Sequence, residues 1–166
     1  MMAAGGMALV GAPQARAAIP ERALAFYNLH TGESLKTVYW AEGRPVPGAL
    51  AEIDRLLRDF RTSEVRAIDV GLLDLLHRVR TSLGSQEPFH VISGYRSPST
   101  NAKLASHSSN VARRSLHVLG EAIDVRLPGR QLRDLHKAAV AQKAGGVGFY
   151  PQSDFVHLDV GRVRYW

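Results

Sequence analysis

The chain has 166 residues, a net charge of +6 carried mostly by arginine, 45% hydrophobic residues and no cysteine. That length suits one domain with one sizeable core. The missing cysteines exclude disulfides, thiolate nucleophiles and cysteine-type metal sites, and no segment is long and apolar enough to span a bilayer. The positive charge favours an anionic partner. The basic residues are scattered, with Arg113-Arg114 the one adjacent pair, and are not interleaved with aromatics; this argues against nucleic acid as the partner.

Residues 1–18, from Met1 to Ala18, are small and apolar and end near Ala15-Arg16-Ala17, a pattern cut by signal peptidases. The basic start of a full signal is missing, so the segment reads as a truncated export signal or as a disordered alanine-rich tail. The folded domain is expected over residues 19–166. Ala23 to Tyr39 holds two β-rich runs around the turn His30-Thr31-Gly32-Glu33, which predicts a hairpin. Pro45 and Pro47 break the chain, and Ala49 to Phe60 then places Leu50, Ile53, Leu56, Leu57 and Phe60 at helical spacing. A second amphipathic helix is predicted from Val70 to Ser82, and a short buried strand over Phe89 to Ser93. Gly94 to Leu116 reads as loop and helix, Glu121 to Val125 as a strand, and Leu132 to Gln142 as a helix ended by Gly145-Gly146. Val147 to Tyr150 and Phe155 to Val160 read as two strands joined by a turn at Pro151-Gln152. The expected class is α+β, with a small, mainly antiparallel sheet toward the C-terminus and flanking helices.

The stretch SLHVLGEAIDV, Ser115 to Val125, carries the first chemical signal. Gly120 can turn the chain sharply. The strand after it places Ala122 and Asp124 on one face, Ile123 and Val125 on the other. A carboxylate among strand apolars needs a partner, because a buried unpaired charge is costly. In FVHLD, Phe155, His157 and Asp159 share a face while Val156 and Leu158 point to the core. If the two strands pair, His117, Asp124 and His157 converge. Three protein ligands with an open position form the usual arrangement of a catalytic zinc site. Each residue alone also has a structural explanation, as a hydrogen-bonded histidine or a turn-capping aspartate.

Ser115, His117, Gly120, Ala122 and Asp124 form S-x-H-x-x-G-x-A-x-D. This resembles the zinc motif of the D-alanyl-D-alanine carboxypeptidase and dipeptidase group of LAS-type metallopeptidases. SGYRSPST from Ser93, followed by Asn101, resembles that group's upstream segment; GGVGFYPQSDFVHLDVG from Gly145, with the closing Tyr165-Trp166, resembles its bacterial murein endopeptidase subfamily. The resemblance implies a hedgehog/DD-peptidase-like fold, one zinc ion on His117, Asp124 and His157, and an exported enzyme of the periplasm or cell wall that cuts peptidoglycan peptides. The alternative it leaves is a non-catalytic zinc-containing wall-binding module on the same fold. Arg96 matches the arginine that binds substrate and stabilises the developing oxyanion, and Ser115 matches a serine that touches substrate.

The general base departs from the family pattern. Many relatives carry Glu three residues before the last zinc ligand, where this chain has Asp154, one methylene shorter. Asp159 competes for the role from the same strand face as His157. Both are expected catalytic candidates, with Asp159 preferred on strand geometry; Asp159 is alternatively a partner that orients a ligand imidazole.

Overall fold

The structure, a computed structural model, describes residues 19–107 and 111–166. The export signal or tail expected over residues 1–18 lies outside the described residues. β1 (Arg22–Asn28) and β2 (Ser34–Ala41) form the expected antiparallel hairpin. Asn28 ties this hairpin to the next element. Its side-chain oxygen accepts from the backbone N–H of His30 at 2.9 Å, and its amide donates to the carbonyl of Leu56 at 2.9 Å.

Leu56 ends helix α1 (Pro47–Leu56), which starts earlier than its apolar spacing suggested. Pro47 does not break the chain there. It sits in the first helical turn, where no N–H is needed, and its fixed φ suits a helix start. Helix α2 (Val70–Ser82) matches the predicted span; Asp69 caps it, accepting from the N–H of Gly71 at 2.7 Å and Leu72 at 3.3 Å. Helices α3 (Pro98–His107) and α4 (Leu132–Ala141) follow.

The remaining strands are β3 (Arg44–Pro45), β4 (Phe89–Ser93), β5 (Ala122–Arg126), β6 (Gly146–Tyr150), β7 (Phe155–Asp159) and β8 (Arg164–Tyr165). The eight strands of the described residues form one sheet in the order β3-β2-β1-β4-β5-β7-β6-β8. The β1–β4 and β6–β8 pairs are parallel and the others antiparallel, so the fold is α+β as expected. The expectation of a small sheet confined to the C-terminal part is corrected. The hairpin joins the same sheet through the parallel register Phe26↔Phe89 to Asn28↔Val91. Phe26 and Phe89 are both buried at that seam, and burial of this apolar face is what draws a sequence-distant hairpin onto β4.

Strand alternation then divides the labour between the faces. Val91, Ile123, Val125, Val156 and Leu158 enter one core with Leu72, Leu73, Leu75 and Leu76 of α2, Ile53 of α1 and Leu135 of α4. The opposite face of β5 and β7 presents Asp124 and His157.

Candidate metal centre

β5 and β7 pair antiparallel with Asp124 directly opposite His157, the juxtaposition that the sequence reading had to assume. His117 arrives from a 3-10 turn at Leu116–Leu119. Ser115 caps this turn, its hydroxyl accepting from the N–H of His117 at 3.4 Å. Gly120 ends it with φ 76 in the left-handed region, and a Cβ there would run into the carbonyl oxygen of Ala67. The turn is thereby pressed against the segment before α2, which aims His117 back at the sheet.

One ligand atom each from His117, Asp124 and His157 lies within 4.8 Å of the others. His117 Nε2 is 3.3 Å from His157 Nδ1 and 3.3 Å from Asp124 Oδ1, while His157 Nδ1 is 2.8 Å from Asp124 Oδ1. His117 and Asp124 are buried, at 2% and 4% exposure. His117 Nδ1 stands 2.7 Å from the carbonyl oxygen of Gly94. A carbonyl only accepts, so Nδ1 carries the proton and Nε2 presents its lone pair to the cluster. Burial lowers the pKa of His117, which keeps the ring neutral as a ligand must be. Burial alone would raise Asp124, but the hydrogen bond and charge of His157 act against it, and the carboxyl is held well below its ordinary value.

Arg96 closes one side. Its Nη2 donates to Asp124 Oδ2 at 2.6 Å and lies 3.2 Å from His117 Nε2, and its Nε donates to Ser93 Oγ at 2.9 Å. Its loop is pinned at both ends: the N–H of Arg96 donates to the carbonyl of His117 at 3.2 Å and that of Tyr95 to Leu57 at 2.8 Å. Asp59, only 1% exposed, accepts from the N–H of Ser97 at 2.8 Å and of Arg61 at 2.9 Å. Arg96, Ser115, His117, Asp124 and His157 all line one cavity of about 330 Å³, with Tyr150, Phe155 and Trp166 as its aromatic wall.

The two aspartates expected as bases are placed differently. Asp159 is fully buried, and its Oδ2 lies 3.1 Å from His157 Nε2, on the ring edge away from the cluster. It accepts further hydrogen bonds from the N–H groups of Gly146 and Gly161 and from Arg164. Asp159, the preferred candidate for the base, is thus met by donors on both carboxylate oxygens and is not among the residues that line the cavity. Asp154 also does not line the cavity: it sits at φ 53 beside cavity residues Ser153 and Phe155, with its side chain 58% exposed and bonded to Arg126 at 2.6 Å. Among the described residues that line the cavity, Asp124 is the sole carboxylate.

Sequence reasoning missed Asp59 and Arg164, and quoted Ser93 and Gly94 within SGYRSPST without giving either a role at the site. Asp59 and Arg164 reach the site only through contacts that cross the fold or a turn, so no local spacing marks them.

A polar triad of two imidazoles and a carboxylate beside an arginine fits a metallopeptidase centre. Comparison with known proteins agrees. The family model described as peptidoglycan L,D-endopeptidase MepK, Peptidase_M15_2, matches residues 16–166. The peptidoglycan L,D-endopeptidase MepK of Escherichia coli (strain K12) is 43% identical over 145 residues, covering 87% of this chain and 80% of that protein. The probable peptidoglycan L,D-endopeptidase MepK of Haemophilus influenzae is 40% identical over 146 residues, covering 87% and 78%. With this match over nearly the whole chain, and with the His117, Asp124 and His157 cluster in place, the chain belongs to the Peptidase_M15_2 family of metallopeptidases.

Proposed function

We propose that this protein is a zinc peptidase that hydrolyses peptide cross-links or stem peptides of bacterial peptidoglycan outside the cytoplasm, acting as one catalytic domain over residues 19–166. The observation that carries the reading is the convergence of His117, Asp124 and His157 on the wall of a cavity that also holds Arg96. The relatives' names supply the substrate class, and the L,D bond in those names is the first bond to test. The net charge of +6 suits an anionic wall polymer. Among the described residues no helix is long and apolar enough to cross a membrane.

The donor set of two imidazole nitrogens and one carboxylate oxygen, without sulfur, suits Zn²⁺, which His117, Asp124 and His157 would hold. Bound zinc would supply Lewis acidity toward the scissile carbonyl and would lower the pKa of a water toward ~7. The chain's own residues do the rest. Arg96 presents a fixed positive charge where negative charge develops on the carbonyl oxygen. Ser115, at the cavity wall, positions the peptide. Asp159 orients His157 by accepting from its Nε2. The proton acceptor is Asp154. It stands between cavity residues Ser153 and Phe155, and its one ion pair is to a partly exposed Arg126. Such exposed pairs are worth only about 0–1 kcal/mol, so turning Asp154 toward the cavity costs little. A non-catalytic wall-binding module is not favoured, since the matched relatives are named as peptidases.

The test is metal analysis of the purified chain together with mass spectrometry of digested peptidoglycan. Wild type should carry one zinc and release cleaved peptides, and His117→Ala, Asp124→Ala and His157→Ala should lose both properties while staying folded. Intact peptidoglycan after incubation with zinc-loaded wild type would refute the activity. Full zinc occupancy in any one variant would remove that residue from the ligand set.

A further inference from the structure

Asp159 is the most heavily bonded carboxylate at the site. Its Oδ1 accepts from the N–H of Gly146 and of Gly161, each at 2.9 Å, and its Oδ2 faces His157 Nε2 at 3.1 Å. Arg164 grips both oxygens, with Nη2 donating to Oδ2 at 2.7 Å and Nη1 to Oδ1 at 3.2 Å. Asp159 is fully buried, whereas the Arg164 side chain keeps 35% exposure. The same guanidinium lies 5.0 Å over the ring of Trp166, whose ring is 5.4 Å from that of His157. Trp166 is held in turn, its Nε1 donating to the hydroxyl of Tyr150 at 2.7 Å. Strand β8 and the residue that follows it thus reach His157 by two routes: through the Arg164–Asp159 fork at the ring's Nε2 edge, and through the indole of Trp166.

We propose that Arg164 is a positioning residue of the metal centre, fixing the imidazole of His157 through Asp159 and bracing the Trp166 wall against it. The inference rests on the ligand set proposed above. An imidazole that ligates through one nitrogen is oriented by what its other nitrogen donates to, and a carboxylate makes it more basic. That carboxylate holds the ring only as firmly as it is itself held. The two backbone donors meet Oδ1 alone, so among the described residues only Arg164 and His157 itself restrain Oδ2. Arginine suits the place because its planar fork matches both carboxylate oxygens, a geometry that lysine cannot reproduce from a single ammonium.

The experiment is competition for Zn²⁺ between the full chain and a chromophoric chelator, with wild type, Arg164→Ala, Arg164→Lys and His157→Ala. The visible band of the cobalt(II)-loaded protein reports ligand geometry on the same samples. All measurements are made below the unfolding temperature of each variant. Arg164→Ala should bind zinc roughly 10–100-fold more weakly, as removal of such partners does, with an altered cobalt band. Arg164→Lys should recover part of the affinity, because it restores charge but not the fork. If Arg164→Ala does not fold, Arg164→Lys carries the test, and its affinity should still fall measurably below wild type. Wild-type zinc affinity in a folded Arg164 variant would overturn the inference, including the case where only the KM for peptidoglycan rises, which would make Arg164 a substrate contact. His157→Ala separates the two levels: unchanged zinc affinity there would sink the ligand set itself, whereas loss of zinc in His157→Ala with none in Arg164→Ala sinks only this inference.

Discussion

Asp59 offers a quantitative test of how the Arg96 loop is held. Its carboxylate is 1% exposed, and burial alone would raise its pKa. Hydrogen bonds from the Thr100 side chain and from the N–H groups of Ser97 and Arg61 overcome that and hold it at about 2 in the folded state. Against an ordinary 3.8, the difference corresponds to about 2.5 kcal/mol of folding stability at neutral pH. The folded-state pKa lies below the unfolded one, so this contribution is fully present above pH 3.8 and is lost as pH falls through about 2. Asp59→Asn cannot ionise. It should therefore be less stable than wild type by about 2.5 kcal/mol at pH 6, and the gap should shrink to about 0.5 kcal/mol by pH 2. Denaturant unfolding of both proteins across that range measures the gap. A gap that does not change with pH would refute the account. Because Ser97 follows Arg96 directly, the same variant at pH 7 should also lose turnover while keeping its metal.

Asp154→Asn should abolish peptidoglycan cleavage with zinc still bound, whereas Asp159→Asn should weaken zinc binding roughly 10–100-fold; a dead Asp159→Asn with wild-type zinc affinity would return the base to Asp159. Arg96→Ala should cost turnover about 10²–10³-fold, the scale for removing one donor to a developing oxyanion, and Arg96→Lys should recover only a fraction; steady-state kinetics with metal content measured in parallel would expose near-normal turnover as a failure. Gly94→Ala would put a Cβ 2.5 Å from the carbonyl oxygen of Leu57 and 2.9 Å from its Cβ. It should cost about 1–3 kcal/mol as overpacking does and lower turnover by shifting the loop that carries Arg96; an unchanged unfolding temperature would show that the loop is not packed as described.

The sequence by itself determined the α+β class and, to within a few residues, the hairpin, α2, β4, β5 and β7, and it marked His117, Asp124, His157, Arg96 and Ser115 as site candidates. These are local properties: apolar spacing follows the backbone period, and a motif such as S-x-H-x-x-G-x-A-x-D is read within ten residues of chain. Tertiary structure decided what depends on distant partners. The pairing of Asp124 with His157 and the parallel docking of the hairpin on β4 are settled by which apolar faces bury together, not by either strand's own pattern. The two aspartates show the difference most clearly. Asp154 and Asp159 carry the same carboxylate and lie three and two residues from His157 in sequence, yet one lies exposed against Arg126 and the other is sealed beneath His157 by Gly146, Gly161 and Arg164. Strand alternation correctly placed Asp159 on the face of His157, but a shared face does not say which edge of the imidazole a carboxylate meets. That is set by the packing of β6 and β8 around it, and packing is a property of the assembled chain.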